Sequence, residues 1–99
     1  MILSDPVVLE EPVRRGETEI AEVSIRKPHA SSLYGVKMLD LMQLDIEALH
    51  TVLPRVIEPL LSPAEVRNLD PADLVDLGGK LAAFFIKKPK GAETAVQQA

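Results

Sequence analysis

Ala21-Glu22-Val23-Ser24-Ile25-Arg26-Lys27-Pro28-His29-Ala30-Ser31-Ser32-Leu33 is the stretch over which the chain changes texture. Ala21, Val23 and Ile25 alternate with Glu22, Ser24 and Arg26. A period of two predicts a strand with one buried face. Lys27-Pro28 ends it, because proline has no N–H to give to a ladder. From Ser31 onward the apolar residues fall at helical spacing instead. Strands on one side of this boundary and helices on the other define an α+β protein: an N-terminal β-hairpin followed by a small bundle of three to four helices.

Toward the N-terminus, Val7, Val8 and Leu9 form a second β-prone run that ends near Pro12. Arg14-Arg15-Gly16-Glu17 lies between the two runs and supplies the glycine of a hairpin turn. Ile20 falls on the wrong face for the register of Val23 and Ile25, which marks either a bulge or an exposed side chain.

Toward the C-terminus, Ser31 or Ser32 is placed to cap a short turn that Gly35 breaks. Val36 to Leu44 carries Met38, Leu39, Leu41 and Met42, too many apolar residues for a fully solvated helix. Asp45 is an N-cap candidate for a helix whose apolar positions are Ile46, Leu49, Val52 and Leu53. Pro54 ends or kinks it, and Glu58-Pro59 reads as a connector. Ser62-Pro63-Ala64-Glu65 has the form of a capping box with proline at the first helical position, and Asp70-Pro71-Ala72-Asp73 repeats the arrangement with Asp as the cap. The last helix is predicted from Pro71 to about Lys87, where Pro89 stops it. Leu74, Leu77, Leu81 and Phe85 make its main stripe, widened by Val75, Ala82 and Ile86. Gly78-Gly79 costs roughly 1 kcal/mol per residue relative to Ala in a helix, so a pair inside the stripe implies a kink or the close approach of another backbone. The reading gives one domain over 1–88 and a disordered tail over 89–99.

Composition narrows what this domain does. Net charge is −4, and residues 1–30 hold six acids against four bases, residues 31–86 eight against four, and residues 87–99 one against three. Such a chain lacks the basic face that phosphate backbones require, so nucleic acid is not an expected partner. There is no cysteine, hence no disulfide framework, thiol nucleophile or thiolate metal site. The first residues are too acidic and proline-broken for a signal peptide, and no apolar run reaches membrane-spanning length. His29 and His50 stand at no recognisable ligand spacing. Asp45 and Asp70 serve as caps, Asp73 sits where a helix dipole favours acids, and Asp73 with Asp76 alone makes a poor cation site. No cofactor, metal or catalytic residue is expected, and the chain is read as a non-enzyme that acts by its surface. The surface candidates are the helix end, with Leu77, Leu81, Phe84 and Phe85, and the hairpin edge, with Val23 and Ile25.

Several short motifs come in a recognisable order: Arg15-Gly16-Glu17; Val23-Ser24-Ile25-Arg26-Lys27-Pro28; Leu33 with Gly35; Asp40-Leu41-Met42; Asp45; Ala48-Leu49; Val52-Leu53-Pro54-Arg55; Glu58-Pro59-Leu60; and Leu69-Asp70-Pro71-Ala72-Asp73-Leu74. Their collinear order from about Val7 to Phe85 resembles the phage tail assembly chaperone family of contractile-tailed temperate phages, including Mu-like prophages. The resemblance implies a cytoplasmic protein of the infected or lysogenic host. It would bind the tape measure protein, keep it soluble for tail tube polymerisation, and be absent from the mature virion. It implies further that a frameshifted longer form recruits the tail tube protein, and that copies can self-associate. The family pattern includes no catalytic residue. A minor structural or adaptor subunit of the tail would share this size and acidity, and a bacterial adaptor unrelated to assembly is a further alternative. An enzyme would need a convergent set of carboxylates or a pocketed histidine, which the sequence does not offer.

Overall fold

The computed structural model describes residues 2–86. The elements are β1 (Val7–Arg15), β2 (Thr18–Ile25), a 3₁₀ turn (Ala30–Leu33), α1 (Met38–Met42), α2 (Ile46–Val56), β3 (Ile57–Glu58), α3 (Pro63–Arg67) and α4 (Pro71–Ala83). This is the expected α+β arrangement, a hairpin followed by four helices, with one strand more than the sequence predicts. The expected tail over 89–99, and Lys87 with Lys88, lie outside the described residues.

β1 and β2 pair antiparallel across a two-residue turn in which Arg15 opposes Thr18 and Gly16 has φ 58°. A positive φ at the first central position alone is the mark of the turn whose twist suits a hairpin, and it selects glycine. β1 does not stop near Pro12. It runs on to Arg15 by way of a large bulge, in which Leu9 to Pro12 stand opposite Ala21 between the pairs Val8–Glu22 and Val13–Ile20. A bulge leaves residues out of the ladder, so it accommodates a proline that has nothing to donate. Beyond it the inward pair is Val13 with Ile20, both half-buried against the core, while Ala21 is exposed. The irregularity signalled by Ile20 is therefore real, but it lies on the opposite strand.

The sheet order is β1-β2-β3, which makes β2 central. β3 is only two residues long and follows α2 directly, pairing Ile57 with Ile25 and Glu58 with Ser24. So short a strand has no periodicity to read, and Glu58-Pro59, read as connector, supplies its last residue and a cis peptide. α2 itself continues two residues past Pro54.

The caps stand where the sequence places three of them. Asp45 accepts from the Ala48 N–H at 3.0 Å, Asp70 from the Ala72 N–H at 2.8 Å, and Ser62 with Glu65 closes a reciprocal capping box. The 3₁₀ turn differs: His29 precedes it, and neither Ser31 nor Ser32 caps it.

α4 packs along β1 and β2, and α3 packs on α2. The core between them is aliphatic, with Ile25, Leu49, Val52, Leu53, Val56, Ile57, Leu77 and Leu81 all fully buried. Each such side chain contributes about 1.5–3 kcal/mol by leaving water. Gly78 lets side chains come close, rather than a backbone: a Cβ there would lie 2.9 Å from Leu44 Cδ2 and 3.1 Å from Leu49 Cδ1, whereas Gly79 faces open space. Leu44 reaches this position from a backbone with φ 59°, a conformation that side chains rarely adopt.

Candidate functional site

The polar residues of the motif run build the scaffold. The Arg15 guanidinium meets the Glu65 carboxylate with Nε to Oε2 at 2.7 Å and Nη2 to Oε1 at 2.8 Å, and also donates to the Leu60 carbonyl. This fork ties the hairpin tip to the start of α3. The hydrogen bond from Arg15, joined by the Ser62 N–H, holds the Glu65 carboxyl down to about 2, and the same Arg15–Glu65 bond raises the Arg15 pKa. Arg26 pairs with Glu58 at 3.1 Å and donates to the Arg55 carbonyl, while Arg55 donates to the carbonyls of Ser32 and Tyr34, both at 2.9 Å. Asp73 is 2% exposed. Its two oxygens accept the Glu10 N–H at 2.9 Å and one accepts the Glu11 N–H at 3.3 Å. A carboxylate in the first turn of α4 thus satisfies the amides that the β1 bulge takes out of the ladder. The sequence places Asp73 on the dipole but gives no sign of this second role.

Four of the six expected contact residues belong to the core. Leu77 and Leu81 are 0% exposed, and Val23 and Ile25 are 2% and 0% exposed. A stripe at helical spacing is first of all what packs the helix down. The hairpin edge at Ile25 is closed as well, because Ile25 pairs with Ile57 on one side while its carbonyl accepts from the Ser4 N–H on the other. A hairpin edge accepts a partner strand only while nothing covers it, and at Ile25 the third strand and the N-terminal segment cover it. Phe84 and Phe85 differ: both are half-buried, resting on the core with part of each ring accessible.

These two rings form part of a groove. Residues 2–4 lie beside the end of β2, held by the Leu3–Arg26 bridge, by Lys27 N–H to the Ile2 carbonyl at 2.8 Å, and by Ile25 N–H to Ser4 Oγ at 2.9 Å. α4 ends at Ala83, and turn-like bonds from Phe84 and Phe85 to Leu81 and Ala82 carry the chain to Ile86. Between these walls the groove is lined by Ile2, Leu3, Phe84, Phe85 and Ile86, with Lys27, Lys80 and Asp5 among its polar groups. Ile2 and Ile86 are 59% and 66% exposed. Ile86, assigned to the buried stripe by its spacing, lies past the end of the helix and escapes burial.

A second group of exposed apolar residues, Tyr34, Met38, Leu39, Met42 and Ile46, lies on α1 and at its two flanks. The apolar density of Val36 to Leu44 predicts burial, but α1 spans five residues and buries only Leu41. A helix of little more than one turn has room for one core contact. Monomeric domains rarely expose contiguous apolar patches unless something docks on them. Among the described residues no group of three or more His, Asp or Glu side chains gathers as a metal set, and no helix is long and apolar enough to cross a membrane.

The described residues thus combine a scaffold whose buried side-chain polar groups are satisfied with apolar surface left uncovered. The chain belongs to the family of phage tail assembly chaperone proteins described as E, or 41 or 14, whose model matches residues 7–86. Among its relatives is tail assembly protein E of Escherichia phage P2, 41% identical over 79 residues, a match covering 80% of this chain and 87% of that protein. Tail assembly protein E' of the same phage is 40% identical over 80 residues, covering 81% of this chain and 56% of E'. The chain therefore spans just over half the length of E'. No solved structure matches it.

Proposed function

We propose that this chain is a tail assembly chaperone that binds the tape measure protein through uncovered apolar surface, keeps it soluble, and supports polymerisation of the tail tube around it. The observation that carries the reading is the groove at the end of α4. There a member of an assembly family leaves Ile2, Leu3 and Ile86 in water beside two half-buried phenylalanine rings. A long helical partner with repeating apolar stripes would offer many such segments. Copies bound along one rod gain from effective concentration, so each contact can be weak. The reading places the protein in the cytoplasm of the phage's host and outside the mature virion. A longer form of the chain would bring in the tail tube protein.

Co-expression with the tape measure protein of the same phage tests this. The expected result is that the tape measure protein becomes soluble and co-purifies with the chain. Unchanged solubility with nothing co-purifying refutes the reading. Finding the chain in purified particles would make it a tail subunit instead.

A further inference from the structure

We infer that the groove selects its ligand by charge: it takes, from a partner protein, an amphipathic segment whose apolar stripe is flanked by acidic residues. The inference rests on the reading above and names the chemistry of the partner segment that this surface recognises.

Three observations carry it. The first is where the cations are. Residues 2–86 contain only three lysines, Lys27, Lys37 and Lys80, and two of them line this groove. The second is what those cations do. Arg14, Arg15 and Arg26 are each engaged with a carboxylate, and Arg55 is engaged with carbonyls. Among the described residues, Lys27, Lys37, Arg67 and Lys80 hold no carboxylate, and of these Lys27 and Lys80 line the same groove. The third is contrast. The chain carries a net charge of −4, and Asp5 is the only acid among the groove's lining residues. A basic apolar segment would be drawn to the acidic remainder of the surface without preference for one place. An acidic one is repelled by most of that surface and, among the described residues, meets a pair of unpaired ammonium groups beside this apolar floor. Charge at the rim of an apolar contact sets register and rejects wrong partners more than it adds affinity.

The same chemistry occurs on the chain itself, where the exposed Leu39, Met42 and Ile46 have Asp40, Asp45 and Glu47 as sequence neighbours. A second copy is therefore the competing occupant, and the test has to separate it from a partner protein.

The probes are two fluorescent helical peptides with the same leucine stripe, one flanked by Glu and one by Lys, titrated against the full chain at low and moderate salt. Rim pairs of this exposure give a preference of about three- to tenfold for the Glu-flanked peptide, shrinking as salt rises. The double variant Lys27→Glu/Lys80→Glu, whose side chains are not in the core, should keep its fold by circular dichroism and reverse the preference. Asp5→Asn should strengthen binding of the Glu-flanked peptide. Equal binding of the two peptides, binding of neither, or a preference that survives the double variant overturns the inference. So does concentration-dependent self-association of the wild type that the double variant abolishes, since the groove is then filled by a second copy. Co-expression with the tape measure protein keeps the two proposals apart. If wild type and the double variant hold it equally, charge selection fails and the chaperone reading stands. If wild type does not hold it, the chaperone reading fails whatever the peptides show.

Discussion

Replacing Asp73 with alanine should destabilise the protein more than any other single change to a charged residue among those described. The carboxylate is buried, and it is the acceptor for the Glu10 and Glu11 amides. A hydrogen bond to a charged acceptor contributes roughly 1.5–3 kcal/mol. Glu10 and Glu11 are themselves exposed, so water can reach their amides in the variant and the lower end applies to each. Loss of the favourable dipole interaction in the first turn of α4 adds about 0.5 kcal/mol. The expected loss is roughly 3–4 kcal/mol, a large share of the margin of a domain of this size. Asp76→Ala, three residues along the same helix and exposed, is the control and should stay within about 0.5 kcal/mol. Asp73→Asn keeps the shape and one acceptor oxygen and should recover part of the loss, which gives a measurable value if the alanine variant does not fold. Urea denaturation followed by circular dichroism reads the midpoints, and hydrogen exchange should show the Glu10 and Glu11 amides losing protection first. If Asp73→Ala lies within 0.5 kcal/mol of Asp76→Ala, the carboxylate does not hold the bulge and the account of β1 is wrong.

Gly79→Ala should stabilise the chain by up to about 1 kcal/mol, because nothing stands where the new methyl group would go. Gly78→Ala should fall at least about 1 kcal/mol behind it, since its methyl group meets Leu44 and Leu49; equal thermal midpoints for the two would contradict the close approach. The Glu65 carboxyl is held near 2 when folded, against an ordinary value of 4.5. Its contribution to stability is therefore complete above about pH 4.5 and lost as the pH falls toward 2. Glu65→Gln should flatten the stability curve in that window alone, and salt should shrink the difference. Leu81→Ala should cost about 2–5 kcal/mol and lower partner capture only by unfolding the chain. Ile86→Ser should leave the unfolding midpoint within about 0.5 kcal/mol of wild type and weaken capture directly; the reverse pattern would move the binding surface away from the groove.

Local signals were the most legible part of the fold. Ser62, Glu65, Asp70 and Asp45 cap because a side chain two or three residues from an amide needs no knowledge of the tertiary structure. The hairpin was readable for the same reason, from Gly16 and the alternation through Ile25. What the sequence could not give depends on distant partners. β3 is two residues long and exists only because Ile25 and Ile57 meet. Asp73 is separated by more than sixty positions from the amides it satisfies. Of the six expected contact residues, Phe84 and Phe85 line the groove, while Leu77, Leu81, Val23 and Ile25 are buried in the core. Periodicity identifies residues that want to leave water. It does not say which of them find cover, and in a chain of this length the geometry of a helix end decides that for Ile86.

The division between motif and groove also limits what kinship carries. The ordered motifs contribute Arg15, Arg26, Arg55, Glu58 and Asp73, and each of these is engaged within the chain. They hold this chain's own elements together. The groove draws mostly on other residues, with Lys27 common to both. One wall, Ile2 to Asp5, precedes the matched stretch, which begins at Val7, while Lys80, Phe84, Phe85 and Ile86 lie within that stretch but after the last of the ordered motifs. Two chains can therefore agree in every scaffold contact and still present grooves of different shape and charge. The scaffold tolerates such variation because Ile2, Leu3 and Ile86 contribute little to the core. Under the proposal made above, selection of a partner would be set at positions whose change leaves folding intact, and specificity could shift from one phage to another without rebuilding the protein that displays it.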